Sequence, residues 1–341
     1  MDLGERAFRG DQLAQWIYRK AVSDLDQMRD LPAGFRQNLV DSGYVVNPLH
    51  QADHRHSTDG VDKLLLHGGD GQVFESVLLP YEERVSCCLS SQVGCPMACT
   101  FCATGLGGFD RNLSTAEIVG QYLALQSLST ARIGHVVFMG MGEPLLNLKN
   151  LIPAIQILHE EVGLSLRHIT VSTVGLVPQI RELAKLKLPI HLALSLHSPL
   201  DEVRSRLMPV NYKWPVAEVV QTMRDYHRAT KRKVTFEYLL IEEVNDTPEQ
   251  ARLLADLVKG LPCVVNLIPF NYVDTEHGWR RPSRERVRAF RSILESRKVN
   301  VTERVERGHD IAAACGQLAG QHTGRFGRGR SLSELPLAPS S

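Results

Sequence analysis

The sequence predicts an α/β fold: a partial, open (β/α)6 barrel, preceded by a small N-terminal helical domain and a β-hairpin extension. Three observations lead there. Over residues 84–305 short apolar runs of strand character alternate with helical stretches, and repeated strand–helix units imply parallel strands joined by right-handed crossovers. Six such strands fall short of the eight that close a full barrel, so the sheet should stay open, with its chemistry at the C-terminal strand ends. The 341-residue chain is 43% hydrophobic, enough for one large core and a smaller appendage.

In residues 1–44, Leu13, Trp16, Ile17, Leu25, Met28, Leu31, Phe35 and Leu39 recur at helical intervals, which predicts a small helical unit. Arg9, Arg19, Lys20, Arg29 and Arg36 would give this packing cap a basic face suited to RNA. Residues 45–83 carry strand-like runs, Lys63-Leu-Leu-Leu66 and Val73-Phe-Glu-Ser-Val-Leu-Leu79, around the turn His67-Gly-Gly-Asp-Gly71, a hairpin leading into the main domain. Barrel strands are placed at residues 85–90, 135–140, 169–172, 190–196, 234–241 and 264–269. Ser114-Thr-Ala-Glu117 is a capping box before an apolar run, and Asp246-Thr-Pro-Glu249 sets a proline in the first turn of a later helix. Residues 306–320 read as a loop, and the low-complexity tail 321–341 is expected to be disordered.

A formal net charge of +1 excludes a uniformly basic, nucleic-acid-coating protein, so any RNA contact must come from local patches. Arg224, Tyr226, His227, Arg228, Lys231, Arg232 and Lys233 form the densest such stretch, and Arg280, Arg281, Arg284, Arg286 and Arg288 a second. Seven cysteines, odd in number and mostly clustered, argue against a disulfide-framed secreted domain and for a reducing compartment. With no apolar signal core at the N-terminus and no run able to span a bilayer, a cytoplasmic protein without a membrane partner is expected.

The chemistry starts at Cys95-Pro-Met-Ala-Cys99-Thr-Phe-Cys102. Three thiolates at this spacing can hold three irons of a 4Fe-4S cluster and leave the fourth for a small molecule. The pattern is similar to the signature of the radical S-adenosyl-L-methionine (SAM) superfamily. A structural zinc knot is the competing reading, although zinc prefers a closed set of four ligands in paired knuckles. Strand alternation places Cys88 inside the barrel and Cys87 under the helices, and turns His191, Ala193, Ser195 and His197 inward, the histidines as interior groups and not metal ligands. In Gly140-Met-Gly142-Glu143-Pro144 the glycines let a ligand meet bare backbone, and the carboxylate could accept the amino group of SAM. Cys315, within Ala-Ala-Ala-Cys-Gly-Gln, reads from composition as a small buried thiol, while its flanking glycines favour a mobile loop.

Together these segments, with Ser90-Ser-Gln-Val-Gly-Cys95, Phe101-Cys-Ala-Thr-Gly105, Ser172-Thr-Val-Gly175, Ser195-Leu-His197, Asn266-Leu-Ile-Pro269 and Asp310-Ile-Ala-Ala-Ala-Cys315-Gly-Gln-Leu-Ala-Gly320, resemble the RlmN/Cfr family of radical SAM RNA methyltransferases. The C-terminal cysteine is the discriminating part, since most radical SAM enzymes lack it. The resemblance implies Cys95, Cys99 and Cys102 as cluster ligands and Gly142, Glu143, Ser172, Ser195, Leu196, His197 and Asn271 as SAM contacts. It implies Cys315 as the cysteine that becomes S-methylated, Cys88 as its redox partner and Glu75 as proton acceptor, a role that Glu75 has from the resemblance alone. Tyr272 follows Asn271 where the family generally has proline.

The implied chemistry uses two SAM molecules, because an sp2 adenine carbon is too weak a nucleophile to take a methyl group by displacement. One SAM methylates the Cys315 thiolate. The second yields a 5′-deoxyadenosyl radical that activates the S-methyl group for addition to adenine; proton loss and a Cys88–Cys315 disulfide then release the RNA. An external flavodoxin- or ferredoxin-type reductant completes the cycle. RlmN-like members methylate C2 of an adenine in 23S rRNA near the peptidyl transferase centre and often an adenine in a tRNA anticodon loop, whereas Cfr-like members methylate C8 of the ribosomal adenine. The forms of residues 101–105 and 172–175 match the C2 type, which is expected here. A non-catalytic RNA-binding protein with a structural metal knot is the alternative from another class.

Overall fold

The computed structural model describes residues 5–273 and 277–318, so the tail expected to be disordered lies outside the described residues. Near the N-terminus, helices Phe8–Ala14 and Ala33–Asp41 close around Met28, Leu31, Phe35 and Leu39, with Leu13, Trp16, Ile17 and Leu25 packed against them. The helical periodicity read from the sequence thus corresponds to a separate small core.

The body is a single ten-stranded sheet. Its antiparallel edge is β1 (His50–His56), β2 (Asp62–His67) and β3 (Val73–Pro80); then come the parallel strands, β4 (Val85–Cys88), β7 (Ile133–Phe138), β8 (Ile169–Thr173), β9 (His191–Ser195), β10 (Val234–Leu240), β11 (Cys263–Pro269) and β12 (Val301–Glu303). Strands β5 (Gln92–Gly94) and β6 (Phe109–Asn112) form a separate hairpin beside the cysteine loop. All six expected barrel strands are present and neighbour one another in chain order, as right-handed crossovers dictate. Four strands escaped the sequence reading for physical reasons. The first, His-Gln-Ala-Asp-His-Arg-His, has no apolar alternation because it is an exposed edge, and β5, β6 and β12 span only three or four residues.

The sheet is buried on both sides where it matters. Ser76 of β3 turns to one face, its Oγ donating to Gln121 Oε1 (2.6 Å) of the helix Thr115–Leu128, which starts with the expected capping box at Ser114. Glu75 turns to the other face. There the segment that follows β12 crosses the open side of the sheet and is pinned to the β1–β2 turn: Asp310 accepts from Ser57 Oγ and from Thr58 N (3.1 Å), and Asp59 accepts from Gly308 N (3.0 Å).

Candidate active site

The parallel strands bring their C-terminal ends around a cleft, partly open to solvent, that is lined by residues from several strand ends. Cys95, Cys99 and Cys102 line one side of it. The loop holding them is forced into shape by close approach: a Cβ on Gly105 would stand 2.9 Å from Cys99 N, so only glycine fits. Burial drives all three thiols above the ordinary thiol range, and for Cys95 and Cys99 the charge of a neighbouring thiol adds to it. Three soft sulfur donors crowded together, each disfavoured by burial as a lone thiolate, fit ligation by a polynuclear iron group, which would neutralise their mutual repulsion. Among the described residues no three His, Cys, Asp or Glu side chains converge as the ligands of one ion do, whereas each cluster thiolate binds a different iron.

Opposite these thiols stand Gly142, Glu143, Ser172, Ser195, His197 and Asn271. Gly142 has φ +102°, and an added Cβ would lie 2.6 Å from the Gln92 side chain, so backbone is exposed there by necessity. Glu143 accepts from Leu145 N (3.1 Å) and Val174 N (2.9 Å), yet burial outweighs these bonds and pushes its carboxyl up to about 7. His197 accepts at Nδ1 from Leu239 N (3.0 Å) and packs edge-on against Phe101; burial, helped by Arg204, pushes it down to about 3, so it is neutral. Leu196 lies behind this wall, fully buried, its carbonyl taken by Arg204 Nε.

A second, smaller cavity adjoins the first. Cys88, Tyr81 and Arg281 line only this one, and Met139, Ile268, Asn271, Arg304 and Cys315 line both. Cys315 therefore stands at the junction of the two. Its carbonyl accepts from Asn271 Nδ2 (3.1 Å), and the next carbonyl, of Gly316, from Ala103 N (2.8 Å), which docks the segment directly on the cysteine loop. Burial pushes the Cys88 thiol up to about 12, with the neighbouring Cys315 adding to it and Arg304 opposing. Cys87 is wholly buried on the opposite face.

The chain matches two family models, "Radical SAM superfamily" over residues 89–255 and "Ribosomal RNA large subunit methyltransferase N-terminal domain" over residues 1–45. A probable dual-specificity RNA methyltransferase RlmN from Symbiobacterium thermophilum is 47% identical over 332 residues, covering 95% of this chain and 90% of the relative. One from Prochlorococcus marinus is 46% identical, covering 94% and 91%. The chain belongs to the RlmN family of radical SAM RNA methyltransferases. It is an enzyme that uses a 4Fe-4S cluster and SAM, and its substrate is RNA. The crystal structure of a radical SAM methyltransferase from Sphaerobacter thermophilus superposes with a TM-score of 0.89 at 42% identity, covering 93% of this chain and 94% of that one.

Glu75 does not itself line either cavity, but it lies on the same face of the sheet as Cys88, which lines the second. It is buried on β3, its Oε1 3.0 Å from Lys63 Nζ. The sequence reading missed Glu237, Arg204 and Arg304. Glu237 lines the first cavity and accepts from Asn266 Nδ2 (2.7 Å); a lone carboxylate in the apolar strand Val-Thr-Phe-Glu-Tyr-Leu-Leu was its available signal. Arg204, fully buried, donates to the carbonyls of Val174, Ser195 and Leu196, and nothing in its helical context announced it. The guanidinium of Arg304 is held more firmly protonated by Cys315 first and by Glu237 and Cys88 after it.

The basic stretch 224–233 precedes β10 and so lies at the N-terminal strand ends, opposite the cavities. Part of its charge is used within the fold: Arg224 donates to Leu257 O and Lys259 O, Arg232 contacts His191, and His227 contacts Arg232 O. Arg281 of the second patch does reach the second cavity.

Proposed function

We propose that this enzyme methylates C2 of an adenine in 23S rRNA near the peptidyl transferase centre, and an adenine in a tRNA anticodon loop, through an S-methylated Cys315. The observation that carries this reading is the place of Cys315 in the wall shared by two cavities, one bordered by the three loop thiols and the other by Cys88. A methyl carrier needs both neighbours. Its sulfur must first meet a methyl donor and then present the activated carbon to a base on the far side.

A 4Fe-4S cluster held by Cys95, Cys99 and Cys102 would supply reductive cleavage of a SAM molecule bound beside it. The chain's own residues do the rest. Gly142 offers bare backbone, and Glu143, Ser172, Ser195, His197 and Asn271 supply polar atoms around the SAM molecule, with Leu196 buried behind them as support. Cys88 closes a disulfide with Cys315 to release the RNA, and Glu75 takes the ring proton. The second cavity receives the adenine, which must leave its stack to enter. The names of the relatives, with "dual-specificity" and "ribosomal RNA large subunit", support two RNA classes. An external flavodoxin- or ferredoxin-type reductant and a cytoplasmic setting complete the reading; among the described residues no helix is long and apolar enough to cross a membrane.

The test is anaerobic reaction of the cluster-loaded enzyme with labelled SAM and 23S rRNA fragments or tRNA, followed by nucleoside mass spectrometry against 2-methyl- and 8-methyladenosine. The 2-methyl product is expected. Only 8-methyladenosine would overturn the regiochemistry, and unmodified adenosine the whole reading.

A further inference from the structure

Lys63 is an ammonium group that the fold has taken out of water. Its side chain is 7% exposed, and Nζ lies 3.0 Å from Glu75 Oε1 and 3.1 Å from the carbonyl of Ala312. A lysine is almost never buried to this degree without partners, and here it has one on the sheet and one on the segment crossing it. Register explains the meeting. Lys63 of β2 and Cys88 of β4 both lie opposite Val77 of β3, and Glu75 is two residues from Val77, so all three side chains share one face. That face is the one covered by the segment bearing Cys315. Ala312, three residues before Cys315, adopts φ +52°, so its carbonyl sits at a sharp change in chain direction.

We infer that Lys63 is a positioning residue, which fixes the carboxylate of Glu75 in place relative to the loop that carries Cys315. The inference rests on the reading of Cys315 as methyl carrier and Glu75 as proton acceptor. In the step concerned, adenine is bonded through a methylene carbon to the Cys315 sulfur. The ring C–H bond then breaks, its proton passing to a Glu75 oxygen and its electron pair staying in the ring, while the one electron left over from radical addition would be taken up by the oxidised 4Fe-4S cluster that the family uses. Such a transfer works only when base and carbon are held within hydrogen-bonding reach. The adduct hangs from the loop and the base from β3. Lys63 Nζ, in contact with both, sets their separation. Methylation of Cys315 itself takes place on the cluster side and does not involve Glu75, so the contribution of Lys63 falls on one half of the reaction.

The experiment compares the full chain with Lys63→Met and Lys63→Arg, each loaded anaerobically with its cluster. Three quantities are read: S-methylation of Cys315 by peptide mass spectrometry, RNA methylation rate, and that rate on RNA deuterated at C2 of the target adenine. Lys63→Met is expected to keep S-methylation within about twofold, to lose RNA methylation about tenfold or more, and to show a larger isotope effect, since proton transfer becomes the slow step. Lys63→Arg, which retains donors to both partners, should recover part of the rate. RNA methylation within about threefold of the parent would overturn the inference. So would a parallel fall of both methylations with an unchanged isotope effect, the pattern of a merely structural lysine. If Lys63→Met is recovered unfolded, Lys63→Gln is measured by the same criteria. A parent enzyme that makes no methyladenosine sinks the methyl-transfer reading and this role with it, whereas the Lys63 outcomes above sink this role alone.

Discussion

At the scale of single residues, burial shifts the protonation of groups in the site, as at Glu143 and His197. His197 shows the cost of this in stability. Its ordinary value is near 6.5 and its folded value about 3, so between those values the unfolded chain binds a proton that the folded chain refuses. Lowering pH through that window therefore destabilises the fold, by about 1.4 kcal/mol for each pH unit below 6.5. Thermal unfolding at pH 7.5 and 5.5 should show His197→Asn losing less stability than the parent on acidification; equal losses would refute this assignment. Cys315→Ala should abolish RNA methylation, whereas Cys88→Ala should trap a covalent protein–RNA adduct visible on denaturing gels. Free turnover by the Cys88 variant would remove its resolving role. Cysteines were the most legible residues in the chain because their spacing is chemically narrow. Arg204 and Arg304 were illegible, since an arginine in a polar stretch looks the same whether it ends in solvent or in the core.

At the scale of elements, the six barrel strands could be read because each buries at least one face, which leaves a short apolar run or alternation between turns. The edge strand β1 could not, because half of its environment is water. The ends of β8 and β9 depend on a group that belongs to neither: Arg204 gathers the carbonyls of Val174, Ser195 and Leu196 and the side chain of Asn211. Replacing it by methionine leaves these acceptors buried and unpaired, which should cost about 3–5 kcal/mol. Chemical denaturation would show the midpoint falling, and loss of SAM binding should follow because Ser195 and His197 hang from the same strand end. A midpoint within error of the parent would mean that the network is redundant.

At the scale of the whole molecule, the two ends of the sheet meet over the active site. The β1–β2 turn holds the segment after β12 through Asp59 and Asp310, although some 250 residues separate the partners along the chain. Asp310→Ala is expected to loosen residues 304–318, so limited proteolysis should cut there sooner and RNA methylation should fall while the cluster loads normally. Unchanged cleavage kinetics would show that Asp59 and Lys63 suffice. The sequence by itself determined the α/β class, the six parallel strands and the three-cysteine loop, because periodicity and thiol spacing are local properties of the chain; Cys315 stood out only through the resemblance to the family. Only the tertiary structure decided that Cys315 stands between two cavities, that Glu75 is paired with Lys63, and that the basic stretch 224–233 faces away from the site. Each of those facts is a contact or an orientation between distant segments, set by strand register and packing.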